Sequence, residues 1–348
     1  PNVIEGDELE KMTRSPFLIS PIAREGTGIA IYGGTGAAKS WLAISIAAGA
    51  ANGKSIFSDR WHVINPEGVK CLTIAGEMSI GEYGERVKRL FQYYGTDEAR
   101  KKNFIFHSAC QLDLANPSGL EKLHHLINEA EQKCGTPGLP VKLVVLDNLT
   151  TLSVEGENPS NFGRIEFALK SLKKRGITVI LIHHENQKGE IRGARKISDV
   201  MDQKLHLFKA NDGDKIGIIV KNEKIRSGKN SEFATFKALL DVEAEGTGWQ
   251  IVDLTPEDQD MIGEETEDQE NNRKSQFKTA KTKYGLTAWE WLSDDERTES
   301  VKKQRLRGLT NAQIAANHNT SKTTVCEFRK QRNIRDCDLR QQGLAIEE

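Results

Sequence analysis

Residues 28–43 read Gly-Ile-Ala-Ile-Tyr-Gly-Gly-Thr-Gly-Ala-Ala-Lys-Ser-Trp-Leu-Ala: a short apolar run, a turn of small residues, and an apolar segment that opens on Lys-Ser. This order predicts a buried strand, a tight turn and a helix. Small residues let consecutive backbone N–H groups curl around phosphate oxygens, and the positive end of a helix dipole favours the same anion. The predicted phosphate cradle is Gly33, Gly34, Thr35, Gly36, Ala37, Ala38, Lys39 and Ser40, with Lys39 reaching the β- and γ-phosphates and Ser40 holding Mg²⁺. The expected ligand is Mg-ATP. One position departs from the pattern G-x-x-x-x-G-K-[ST]: Ala38 stands where the last glycine belongs, and its Cβ crowds a backbone that a glycine would leave open.

The chain has 348 residues, 37% hydrophobic and 28% charged, which is enough for two domains and a soluble surface. No apolar run is long enough to span a bilayer, and residues 1–20 lack the basic-then-apolar order of a secretory leader, so the expected setting is cytoplasmic, without a membrane partner. The five cysteines, Cys71, Cys110, Cys134, Cys326 and Cys337, have no metal-ligand spacing and read as reduced and structural.

From residue 28 to residue 253, short apolar runs alternate with amphipathic segments, the pattern of an α/β fold with a mostly parallel central sheet. Strands are expected over 28–32, 69–75, 104–107, 141–146, 178–183, 203–209, 215–221 and 249–253. Ligands of such sheets sit beyond the carboxyl ends of the strands. Three ends carry polar chemistry. Asp147 follows Leu-Val-Val-Leu and suits the carboxylate that holds Mg²⁺ beside Ser40. Glu77 follows Cys-Leu-Thr-Ile-Ala-Gly and is the candidate base for the attacking water, while Ser79 and Glu82 form a separate capping box for the next helix. His183 and His184 end a third run and are candidate γ-phosphate sensors; adjacent residues on a strand face opposite sides, which argues against a metal pair. The basic segment behind them, with Lys188, Arg192, Arg195 and Lys196, suits a nucleic-acid backbone.

The ordered set Gly-Gly-Thr-Gly-Ala-Ala-Lys-Ser, Ala-Gly-Glu77-Met-Ser with Arg86, Leu-Asp147-Asn, Ile-His183-His184 with Arg192-Gly-Ala, and Asn222-Glu-Lys224-Ile-Arg226 resembles the RecA-like core of hexameric replicative helicases, the plasmid RepA type and its phage relatives. Each motif alone recurs in recombinases and circadian-clock-type ATPases. The resemblance implies a RecA-like P-loop fold, DNA-dependent ATP hydrolysis in a homohexameric ring, and Lys224 with Arg226 acting across the subunit boundary, Arg226 as the finger on a neighbour's γ-phosphate. From the residues alone, Lys224 and Arg226 are two cations on one side of a strand, if the strand continues that far.

Residues 256–270 carry eight acids and no Lys or Arg, which reads as a solvated, disordered stretch. The expected organisation is an ATPase domain over 1–255, an acidic then basic flexible linker over 256–283, and a small all-α helix-turn-helix domain with a tail over 284–348. In the last, Ile314, Ala315, Val325 and Phe328 supply the buried face, Asn319 makes the turn and Ser321 caps the second helix, while Trp289 and Trp291 pack the core. Between 302 and 335 Glu327 is the one acid among nine Lys and Arg residues, a balance that favours nucleic acid and places Lys322, Thr323, Glu327 and Lys330 nearest base edges of double-stranded DNA. A replication protein is the other partner open to this domain. The leading expectation is an ATP-dependent DNA helicase of a plasmid, phage or mobile element; a nucleotide-switched DNA-binding regulator or loader, and a recombination or annealing ATPase, are the alternatives.

Overall fold

The computed structural model describes residues 6–57, 60–109, 112–153, 159–185, 199–210, 212–225, 233–246, 248–262, 292, 294–306, 309–318, 320, 322–332 and 334. The chain divides into two compact units, Pro1–Leu254 and Thr255–Glu348.

The strands of the first unit are β1 (Phe17–Ser20), β2 (Ala23–Arg24), β3 (Gly28–Gly33), β4 (His62–Val63), β5 (Lys70–Ala75), β6 (Phe104–Ser108), β7 (Val141–Asp147), β8 (Thr178–His184), β9 (Gln203–Ala210), β10 (Ile216–Ile225), β11 (Phe236–Leu240) and β12 (Gln250–Val252). Its helices are α1 (Gly6–Lys11), α2 (Lys39–Asn52), α3 (Ile80–Tyr94), α4 (Glu98–Lys101), α5 (Gly119–Lys133) and α6 (Pro159–Lys174). Strands β1, β2 and β4 form a small antiparallel sheet, and the other nine form one large sheet in the order β12-β11-β10-β9-β3-β8-β7-β5-β6. The six strands from β9 to β6 are parallel, and β10 to β12 continue the sheet antiparallel. This is the mostly parallel α/β sheet that the alternation of apolar runs predicts.

The central strands are apolar on both faces because each face meets its own core. Ile29 and Ile31 of β3, Leu143 and Val145 of β7, and Ile180 and Ile182 of β8 pack with Leu42, Ile46 and Ala50 of α2. Their neighbours in sequence, Ala30 and Tyr32, Val144 and Leu146, Val179 and Leu181, pack with Leu123 and Ile127 of α5 and Ile165 and Leu169 of α6. Period-two alternation thus divides one run of hydrophobic residues between two layers of helix. Lys70 at the start of β5 is wholly buried, and its ammonium donates to the carbonyls of Ala130, Glu131, Cys134 and Thr136 at 2.8–3.2 Å, closing the carboxyl end of α5 onto the sheet. Burial lowers the Lys70 pKa, against the charges of Cys134 and Glu131.

In the second unit, α7 (Pro256–Ile262), α8 (Asp294–Leu306), α9 (Asn311–Asn317) and α10 (Lys322–Gln331) are described. Helix α7 corrects the reading of 256–262 as disordered. Its acids stand in a first turn, where the helix dipole favours them, and Thr255 and Asp258 cap each other through the Asp258 carboxylate at 2.8 Å and the Thr255 hydroxyl at 3.2 Å. Residues 263–291, with Trp289 and Trp291, lie outside the described residues. Helices α8 to α10 share a core of Val301, Ile314, Ala315, Val325, Phe328 and Ile334. Thr310 and Gln313 form a capping box at the start of α9. Asn319 and Ser321 lie outside the described residues. Of the five cysteines, Cys71, Cys134 and Cys326 are described, and all three are free thiols.

Candidate functional site: a phosphate loop and its carboxylates

The turn between β3 and α2 meets the carboxyl ends of β7 and β8 around a cavity of about 340 Å³. Thr35 to Ser40, Glu77, Arg86, Asp147, Asn148 and His184 line it, with Trp41 and Ile216 as apolar wall. Strand β8 lies between β3 and β7, so the phosphate-loop strand and the Asp147 strand flank it, and the three ends open on one side of the sheet.

The loop follows from its residues. Gly33 and Gly36 have φ of 156° and 79°, and a Cβ on Gly33 would lie 2.2 Å from the Leu207 carbonyl oxygen, so no side chain fits there. Ala38 has φ 51° and ψ 29°, and is the one non-glycine at positive φ among the described residues. The sequence expectation of crowding at Ala38 therefore takes a specific form: the residue that opens α2 sits in the left-handed region, which costs an L-residue about 1–2 kcal/mol.

Lys39 is 7% exposed and donates to the carbonyls of Gly33 at 2.9 Å and Gly34 at 2.8 Å. Burial lowers its pKa, while the carboxylates of Glu185, Glu77 and Asp147 pull the other way. Ser40 hydrogen-bonds the Asp147 carboxyl, which is 5% exposed; burial raises the Asp147 pKa to about 6, and Glu77 adds to the rise. Paired hydroxyl and carboxylate oxygens at the start of a helix are the donor set a hard divalent cation takes, so these residues fit Mg²⁺.

Glu77 is half exposed at the cavity mouth. Asn148 donates to its Oε1 at 2.5 Å and contacts His184 Nε2 at 3.1 Å, and His184 Nε2 lies 3.6 Å from the same Glu77 oxygen. The Ser79 and Glu82 capping box is present and leaves Glu77 out of the helix cap. Arg86 stands over the Trp41 ring at 4.8 Å from its centroid.

The two candidate sensors separate. His184 lines the cavity, whereas His183 is wholly buried and does not line it, as alternation along β8 requires. Lys224 stands on β10, which ends at Ile225; Arg226, Lys188, Arg192, Arg195 and Lys196 lie outside the described residues. In the second unit Lys322, Thr323, Glu327 and Lys330 are exposed along α10. Two of its other cations are engaged internally, Arg305 with the Leu309 carbonyl at 2.6 Å and Arg329 with Asn311 Oδ1 at 2.7 Å. Sequence reading missed Asn148 as the partner of Glu77 and His184; its one signal is its place directly after the strand-ending Asp147.

Residues 2–190 match the AAA domain family. The chain belongs to that family. No curated protein matches. Among solved structures, a KaiC-like protein of the hyperthermophilic archaeon Pyrococcus horikoshii is 15% identical over 68% of this chain and 94% of its own, with a TM-score of 0.45. Family membership and the cavity agree on a P-loop ATPase core. No helix among the described residues is long and apolar enough to cross a membrane.

Proposed function

We propose that this chain is an ATP-driven DNA translocase, a helicase of a plasmid, phage or other mobile element, that hydrolyses ATP between subunits of a homohexameric ring. The observation that carries the reading is the convergence of Lys39, Ser40, Asp147 and Glu77 on one cavity, with Glu77 held by Asn148 and left out of the helix cap. In this reading Gly33 to Ser40 wrap the phosphates, Lys39 exchanges its loop carbonyls for phosphate oxygens, and Ser40 and Asp147 hold Mg²⁺, which neutralises charge on the phosphates when bound. Glu77 orients the attacking water and takes its proton. His184 senses the γ-phosphate through Asn148. Lys224 and Arg226 act on a neighbouring subunit's nucleotide, and Lys188, Arg192, Arg195 and Lys196 follow single-stranded DNA. The second unit meets double-stranded DNA through Lys322, Thr323 and Lys330, or docks a replication protein.

The deciding experiment measures ATP hydrolysis with and without single-stranded DNA, beside unwinding of a forked duplex. Strong stimulation with unwinding is expected. Slow hydrolysis indifferent to DNA, without unwinding, overturns the motor in favour of a nucleotide-switched regulator or loader, the reading that the strained Ala38 favours. Stimulation with strand pairing and no unwinding would favour an annealing ATPase.

A further inference from the structure

Beside the phosphate loop, a second group of polar side chains joins β3, β9 and β10 to the residue that follows β8. His206 on β9 is 6% exposed, and its ring stacks on Tyr32 of β3 with centroids 4.4 Å apart and planes 16° from parallel. The imidazole has a carboxylate at each nitrogen: Glu185 Oε2 lies 3.0 Å from Nε2, and Glu223 Oε1 lies 3.3 Å from Nδ1. Glu185 borders the phosphate loop, and Glu223 belongs to β10.

Glu185 follows His184 at the end of β8 and touches the phosphate loop twice. Its backbone N–H donates to the Gly33 carbonyl at 3.4 Å, and its Oε1 would lie 3.0 Å from a Cβ built on Gly34. Gly33 O also accepts from Lys39, so one carbonyl joins Glu185 to the lysine of the loop. Glu223 sits at an irregularity of β10: Asn222 pairs with Leu205 and Lys224 with Lys204, leaving Glu223 as an extra residue between them. Such a bulge bends a strand and re-aims the residues beyond it. Although its own burial opposes the change, donors from His206 and Tyr32 and the charge of Lys204 at 3.3 Å bring the Glu223 pKa down to about 2, so the bulge carboxylate is held ionised by groups on β9 and on β3 beyond it.

We infer that His206 is a positioning residue that fixes the phosphate loop, through Glu185, in register with the bulged end of β10, through Glu223. The inference rests on reading the loop as the nucleotide site and extends it: nucleotide affinity depends on a clamp of residues that do not line the cavity. A loop held by its neighbours presents its N–H groups preformed, and releasing it weakens ground state and transition state alike.

The test compares wild type with His206→Phe, Glu223→Gln, the double variant and His206→Gln in the full chain. Phenylalanine preserves the stack on Tyr32 and removes both nitrogens; glutamine restores a donor toward Glu185. The readouts are the Kd of a fluorescent ATP analogue with Mg²⁺, KM and kcat for ATP, and the thermal midpoint. His206→Phe should raise Kd and KM about tenfold with kcat within twofold, Glu223→Gln should do the same, and the double variant should lose no more than either alone, the mark of residues acting as one unit. His206→Gln should recover affinity to within about threefold. Kd within twofold of wild type in folded variants, or losses that multiply to about a hundredfold in the double, would overturn the clamp. If His206→Phe does not fold, the isosteric Glu223→Gln decides alone by the same Kd criterion. A wild type that binds the analogue but ignores DNA removes the motor reading and leaves the affinity comparison to judge His206.

Discussion

The phosphate-loop cavity and the helices of the second unit handle charge in opposite ways. At the cavity, Lys39 and Asp147 are 7% and 5% exposed, each shifted toward its neutral form by burial, and each answered by a neighbour on another strand or helix. On α10, Lys322 and Lys330 are exposed, over a core that among the described residues groups Val301, Ile314, Ala315, Val325, Phe328 and Ile334. A buried charge acts through its orientation and its desolvation, so one substitution changes chemistry. Exposed charges act through their sum, screened by salt, so each contributes a small share.

The largest test of that contrast is Glu77→Gln, expected to lower ATP hydrolysis by about 10²–10⁴-fold while ATP binding persists, read by steady-state rate and nucleotide titration. Next is the C-terminal core: Val325→Ala, at a wholly buried position, should destabilise the second unit by about 2–4 kcal/mol, seen as an earlier thermal or proteolytic transition of that unit with ATP hydrolysis retained. If hydrolysis falls in parallel, the two regions are not the separate systems the contrast supposes.

Asp147→Asn separates stability from function. The folded pKa of Asp147, about 6, lies above its ordinary value of 3.8, so the native state binds the proton more tightly than the unfolded chain, and stability is lost as pH rises between those values. Without metal, Asp147→Asn should therefore stabilise the protein at pH 7–8 by up to about 2–3 kcal/mol, fading to nothing near pH 4, while abolishing Mg²⁺-dependent hydrolysis. Melting curves at the two pH values check the sign; a destabilised variant at pH 8 would mean that the Ser40 hydrogen bond outweighs desolvation.

Ala38→Gly should relieve backbone strain by about 1 kcal/mol and raise the thermal midpoint by a few degrees, with equal or tighter ATP binding. The smallest effect belongs to the surface. Lys322→Ala and Lys330→Ala should each lower the slope of log affinity for duplex DNA against log salt by about 1, at unchanged ATPase rate; an unchanged slope would point the second unit at a protein partner.

What the sequence made legible was local. The phosphate loop, the strand ends at Glu77, Asp147 and His184, and the Ser79 capping box each rest on residues a few positions apart, where turn chemistry and alternation decide the outcome. Strand β11, Phe-Lys-Ala-Leu-Leu, has no strand signature of its own and exists because Phe236 to Leu240 pair with Val220 to Ile216. The short strands β1, β2 and β4 are likewise products of pairing. Glu77 with Asn148, and Glu185 with His206 and Glu223, were illegible for the same reason: their partners are 17 to 71 residues apart, and only the sheet order brings them together.

Lys70 has a use of its own. Its amine is sealed beneath four carbonyls with no accessible surface, so a water-borne acylating reagent reaches it only when α5 lifts from the sheet. The rate at which that one lysine becomes labelled is a clock for the opening of the ATPase core, readable by peptide mass in a mixture where the exposed lysines have already reacted.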